Sequence, residues 1–230
     1  LNGGLIMTKD NLIYNKILSE HKKFKSHDYR GLFKNYIKSL FVTIATNGIV
    51  FKFFTSYVVK LGYKFNIKLI NNFSKNDPNP YLQEQLPENY KKIISLSQSD
   101  NILKQLKYYK KDLNIRIENA KLYFENLKDI NDLIIPKFQD NFENGWINFP
   151  IQYHKRDKLI NYLYENDRDL AIYFYRNCNE LSIFKKYKNK KLNNIREVVN
   201  NIILLPTYPN YGKNQILRNI ALIKKFFNHE

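Results

Sequence analysis

"IILLPTYPNYGKNQILRNIALIKKF", Ile202 to Phe226, is the stretch on which the fold turns. Its opening, Ile202 to Tyr208, is a short apolar run bounded by a proline-rich turn, the pattern of a buried strand. Beyond Gly212 the period changes: Ile216, Ile220, Ile223 and Phe227 recur at the three- and four-residue spacing that lines one face of a helix. Lys224 and Lys225 fall in its last turns, where the helix dipole favours cations. Strand, turn and amphipathic helix in direct succession predict the closing unit of a mixed α/β domain.

Working towards the N-terminus, the same alternation continues. "LNNIREVVNN" reads as a helix, "LAIYFY" as a strand and "KRDKLINYLYEN" as a helix, while "GWINFPIQY" and "DLIIPKF" read as strands. Before them, Leu106, Tyr109, Leu113, Ile117, Ala120, Phe124 and Leu127 form one apolar stripe. At 3.6 residues per turn this predicts a long helix from Ile102, with Lys, Asp and Glu on its other face.

The pattern changes again upstream of residue 100. "NNFSKNDPNPYLQEQLPEN", Asn71 to Asn89, gathers prolines among Asn, Ser and Asp and is the best linker candidate in the chain. "YIKSLFVTIATNGIVFKFFTSYVVKLG", Tyr36 to Gly62, is densely apolar, but Lys38, Lys52 and Lys60 interrupt it. Its longest uninterrupted piece, Ser39 to Phe51, falls short of the roughly 20 apolar residues of a spanning helix. The stretch is expected to be a buried helical pair, in preference to a patch lying on anionic lipid. The chain opens with "LNGGLIMTKDNL", in which Gly3 and Gly4 run into Leu5-Ile6-Met7, a short strand ending at Thr8-Lys9-Asp10.

Composition sets the outer limits. The 230 residues are 43% hydrophobic and 15% aromatic, enough for a packed core. The single Cys178 forms no internal disulfide and reads as a small buried filler. His21, His27, His154 and His229 lie too far apart in sequence for metal-ligand spacing, and the thiol content fits a reducing, cytoplasmic compartment. With 38 Lys+Arg against 21 Asp+Glu the formal charge is +17. Lysines are scattered through every helix without forming a block, so a generally basic surface is the reading adopted, with no nucleic-acid partner.

Five segments, in order, resemble the DegT/DnrJ/StrS family of pyridoxal-phosphate-dependent sugar aminotransferases. "IILLPTYPNYGKNQILRNIALIKKF" is similar to that family's last strand, Leu-Pro-x-Tyr-Pro turn and final helix. "WINFPIQYHKRDKLINYLYEN", Trp146 to Asn166, resembles its Phe-Pro-Ile strand and Arg-Asp helix. "SLSQSDNILKQL", Ser95 to Leu106, keeps its Ser-x-x-Gln spacing, and Arg116, Ala120 and Tyr123 match an Arg-x-x-x-Ala-x-x-Tyr pattern. "NGGLIMTKD" resembles the Gly-Gly strand that closely follows the Schiff-base lysine in such enzymes. The resemblance does not extend over Tyr36 to Pro87, an apolar insertion relative to better-known members.

The resemblance implies an α/β fold of the fold type I aminotransferase class. Residues 1–94 would be the tail of the large pyridoxal-phosphate domain, carrying the insertion at about 36–87. Residues 95–230 would be the inter-domain helix and the small C-terminal α/β domain. It implies pyridoxal 5'-phosphate as cofactor, a nucleotide-sugar substrate, an amino-acid donor such as glutamate, and a homodimer. The catalytic lysine is expected upstream of Leu1, and Asn2, Gly3, Asn89, Tyr90 and Lys91 are the candidate cofactor-binding residues. With Ser95 in register, Lys91 stands where the family has an Asn that reaches the cofactor phosphate, while Asn89-Tyr90 lie two residues early. Lys91 either binds phosphate as a point charge or is solvated. The His that the family often carries after its penultimate strand is missing from "YFYRNCNELSIF". Two other classes stay open: a non-catalytic scaffold homologue and a basic polyanion-binding protein.

Overall fold

A computed structural model describes residues 6–26, 29–65, 67, 85, 90–138, 144–168, 170, 175, 177–187 and 192–229. The chain divides into two compact units; among the described residues, one holds everything up to Lys107 and the other everything from Tyr108. The division falls inside one helix.

The first unit is helical. Helix α1 (Asn11–His21) starts at Asp10, whose carboxylate accepts from the backbone N–H of Leu12 at 2.8 Å and Ile13 at 3.1 Å. An Asp at this position satisfies two of the amides that a helix start leaves without partners. Helix α2 (Tyr29–Ala45) is followed by α3 (Gly48–Val50), a π-helical turn (Phe51–Thr55) and α4 (Ser56–Lys64). The break before α3 is capped by Asn47, whose side chain accepts from the Ile49 N–H at 3.1 Å. Lys25 and Lys92 form a parallel β-bridge: the Lys25 N–H donates to the Lys91 carbonyl at 3.1 Å and the Ile93 N–H to the Lys25 carbonyl at 2.9 Å.

Two expectations for this unit need correction, and a third lies outside the described residues. Ile6 and Met7 are not in a strand and are 71% and 85% exposed, while Leu5 lies outside the described residues. A strand requires a neighbour to take its backbone hydrogen bonds, and these two residues have no ladder. The apolar stretch Tyr36 to Gly62 is helical as expected, but it is not buried: Phe53 is 68% exposed and Phe54 67%, with Phe41, Ile44, Ile49 and Tyr57 also exposed. Of its apolar residues, Ala45, Val50 and Val58 are half-buried. The linker candidate Asn71 to Asn89 lies outside the described residues apart from Gln85.

Helix α5 (Leu96–Leu127) is the predicted long helix, begun six residues before Ile102. Only the C-terminal part of the stripe is covered. Leu106 and Tyr109 are exposed, whereas Ala120, Tyr123 and Leu127 are fully buried in the second unit.

That second unit is built on an antiparallel strand pair, β1 (Asn148–Gln152) against β2 (Ile202–Pro206), with Phe149 opposite Leu205 and Ile151 opposite Ile203. Helix α6 (Arg156–Glu165) follows β1, α7 (Asn193–Asn201) precedes β2, and α8 (Gly212–Asn228) closes the chain. The core joins Tyr123 and Leu127 of α5, Phe149 and Ile151 of β1, Leu159 and Leu163 of α6, Leu205 of β2, and Ile216 and Ile223 of α8. All are fully buried. Phe138 stacks on Trp146 with ring centroids 5.3 Å apart, and Tyr123 stacks on Phe149 at 5.5 Å.

"DLIIPKF" is not a strand. It meets β1 through a single bridge, Ile134 to Gln152, with mutual N–H to carbonyl bonds of 3.0 and 2.8 Å. Pro136, two residues on, has no N–H to extend a ladder. "LAIYFY" lies outside the described residues except for Leu170 and Tyr175. Cys178 is exposed and not a buried filler, because it sits in a short 3₁₀ turn (Cys178–Glu180) on the surface.

Candidate functional site

The segment that carries Tyr90 and Lys91 runs directly into α5. Tyr90 lies in a turn and is 66% exposed; Lys91 and Lys92 are half-buried on the extended piece bridged to Lys25. Three lysines thus stand on two hydrogen-bonded segments. Ser95 then starts the helix with a reciprocal cap: the Gln98 N–H donates to Ser95 Oγ at 3.3 Å, and the Ser95 N–H donates to Gln98 Oε1 at 2.8 Å. The Ser-x-x-Gln spacing is therefore a capping box, which fixes where the extended lysine segment ends and the helix begins. Replacing Ser95 by Ala is expected to cost about 1 kcal/mol locally. Native-state hydrogen exchange should show it as a roughly fivefold faster opening at the Gln98 amide.

The turn after β2 is held from three sides by polar groups. Thr207, fully buried, donates its hydroxyl to the carbonyls of Trp146 (2.5 Å) and Ile147 (2.9 Å), and its own carbonyl accepts from Asn119 Nδ2 at 3.1 Å. Asn219, 1% exposed, donates from Nδ2 to the Tyr123 hydroxyl at 2.9 Å and accepts from the Tyr211 hydroxyl at 3.1 Å. These bonds tie α5, the turn and α8 together, because a buried amide left without partners would cost about 1–3 kcal/mol. Gly212, at φ 66°, makes the reversal into α8, a left-handed conformation that strains a residue with a Cβ. Arg116 donates to the Ile147 carbonyl at 3.2 Å. Each residue of the Arg-x-x-x-Ala-x-x-Tyr pattern thus has a structural task in the second unit.

Of the five candidate cofactor-binding residues, Tyr90 and Lys91 are adjacent in the first unit, and Asn2, Gly3 and Asn89 lie outside the described residues. The backbone bridge brings Lys25 beside Lys91 and Lys92. The ring of Tyr90 is exposed, and the described residues form no enclosed pocket around it. Register with Ser95 singles out Lys91 in the sequence but gives no sign of Lys25, which reaches the segment only through the bridge. A shallow cleft of about 370 Å³ in the second unit, lined by Lys158, Tyr162, Lys225 and His229 among others, contains none of the candidate residues. Among the described residues no group of His, Cys, Asp and Glu is arranged to hold a metal ion.

Solved structures share this fold. S. venezuelae DesV superposes with a TM-score of 0.54 at 14% identity, covering 64% of this chain and 41% of its own. A DegT DnrJ EryC1 StrS aminotransferase from Brucella abortus gives 0.55 at 20% identity, with 70% and 44% covered. Helicobacter pylori PseC, an aminotransferase involved in the biosynthesis of pseudoaminic acid, gives 0.52 at 17% identity, with 71% and 45% covered. The chain spans less than half the length of each of these chains. Comparison with curated protein sequences finds no match.

The fold is accordingly that of a fold type I aminotransferase, represented in part. The sequence profile of the DegT/DnrJ/EryC1/StrS aminotransferase family matches residues 1–224, and the chain belongs to that family. The family depends on pyridoxal phosphate.

Proposed function

We propose that this chain is the C-terminal part of an aminotransferase that moves an amino group from glutamate to a keto sugar carried on a nucleotide, for cell-surface polysaccharide biosynthesis. The observation that carries the reading is the family match over residues 1–224, supported by a structural task for each motif residue described from Ser95 onward. In this reading residues 1–94 are the tail of the large cofactor domain, and 95–230 are the connecting helix and small domain. Asn2, Gly3, Asn89, Tyr90 and Lys91 border the cofactor, and the enzyme works in the cytoplasm as a homodimer.

Pyridoxal phosphate supplies the electron sink for transamination. The chain's own residues do the holding. Lys91, on the segment bridged to Lys25, offers a point charge to the phosphate in place of an amide. The capping box sets the distance between that phosphate contact and α5.

The full-length protein, given glutamate and a panel of nucleotide-linked keto sugars, is expected to release 2-oxoglutarate with at least one of them. Lys91→Ala should raise the pyridoxal phosphate concentration needed for half-activity by about tenfold, equivalent to about 1.4 kcal/mol. Cofactor binding without turnover on any keto sugar would instead identify a non-catalytic scaffold.

A further inference from the structure

From Tyr29 to Asn76 the sequence contains no Asp or Glu, although the chain has 21 of them elsewhere. The same segment carries Arg30, Lys34, Lys38, Lys52, Lys60, Lys64, Lys68 and Lys75. Within its helices most of the large apolar side chains are exposed, Leu32, Val50 and Val58 being half-buried. On α2, Tyr29, Phe33, Tyr36, Ile37, Leu40, Phe41 and Ile44 are all exposed. They recur at helical spacing along one broad stripe, which Lys34 and Lys38 border on one side. After the break, Ile49, Phe53, Phe54, Tyr57 and Leu61 continue the exposed apolar surface.

Three hydroxyls in this region are satisfied without water. Thr43 donates to the Ser39 carbonyl at 2.9 Å, Thr46 to Val42 at 2.8 Å and Ser56 to Lys52 at 3.2 Å, so each folds back on the preceding helical turn. Lys52 Nζ lies 5.2 Å from the centre of the Phe53 ring and Lys60 Nζ 6.0 Å from that of Tyr57. This pairing of amine and aromatic suits the boundary between headgroups and acyl chains. Among the described residues no single helix is long and apolar enough to cross a membrane, but Tyr29–Ala45 with Gly48–Gly62, bent by 61°, meets the length and composition as a pair.

We propose that this bent helical pair docks the protein on an anionic lipid bilayer, lying in the interface with its Phe and Tyr side chains among the acyl chains and its cations on the headgroups. Charge decides the occupant. A segment that carries eight cations and no carboxylate complements a uniformly anionic surface, and its many exposed aromatic and aliphatic side chains exceed the scattered hydrophobics normal on a soluble protein.

The test is cosedimentation of the full-length protein with phosphatidylcholine vesicles, with and without phosphatidylglycerol, at low and high salt. Binding to the anionic vesicles is expected to exceed that to neutral ones by about tenfold and to fall several-fold as salt screens the charges. The paired substitutions Phe53→Ser and Phe54→Ser should lower the partition coefficient roughly tenfold or more. A second variant, Lys34→Glu with Lys38→Glu, should weaken binding to anionic vesicles while leaving neutral ones unaffected, and stands in if the Phe variant does not fold. Equal pelleting of both folded variants and wild type would overturn the proposal. So would a wild-type chain that stays in the supernatant and self-associates in sedimentation velocity, which would assign the face to a second copy.

Discussion

Borohydride treatment of the full-length protein loaded with pyridoxal phosphate is expected to fix one cofactor per chain on a lysine that precedes Leu1. Lys9 and every later lysine should stay at background. A lysine that bonds the cofactor works in an enclosed site, where water is excluded and its amine is oriented. Lys9 has the opposite surroundings: it is exposed, as are Ile6 and Met7 beside it, and it immediately precedes Asp10, the cap of α1. Lys91, on the segment bridged to Lys25, is in the proposed function a phosphate contact and not the covalent partner. The 230-residue chain by itself is therefore expected to show only nonspecific adducts and no glutamate-dependent amination. Peptide mapping after reduction checks this, and a unique stoichiometric label on Lys9 or on any lysine after it would overturn the proposed assignment.

Phe149→Ala should be the most damaging single substitution in the second unit, at about 3–5 kcal/mol. The ring is fully buried, stacks on Tyr123 at 5.5 Å, meets Trp146 at 5.7 Å and sits opposite Leu205 in the strand pair. Its removal opens a cavity where α5, β1 and β2 meet, and the strand register prevents neighbours from closing it. Ile147→Ala, two residues earlier, is the control: Ile147 is 74% exposed, and its loss should change stability by no more than about 0.5 kcal/mol. Urea unfolding, with the slope compared as well as the midpoint, measures both. Similar midpoints for the two variants would mean that the strand pair is not the centre of this unit.

Elements whose partners lie close in sequence, or whose period is long, are legible in the order of residues alone. The stripe through Leu113, Ile117, Ala120 and Leu127 marks α5, and Ile216, Ile220 and Ile223 mark the face of α8 that is buried. Strands β1 and β2 are legible as apolar runs, but "DLIIPKF" has the same appearance and forms only one bridge. Whether an apolar run becomes a strand depends on a partner for its backbone, and periodicity carries no information about partners.

The candidate site divides in the same way. Register with Ser95 points to Lys91, while Lys25, more than sixty positions away, comes to it only through backbone pairing. Family membership and the long helix were determined by the sequence itself, through motifs and a 3.6-residue period that act locally. Tertiary structure alone decided which apolar side chains are covered. Phe149 and Phe53 are the same residue type in comparably apolar surroundings in sequence, yet the first is fully buried and the second 68% exposed. Composition sets the tendency to leave water, but burial requires a complementary surface, and such surfaces exist only once distant segments have packed.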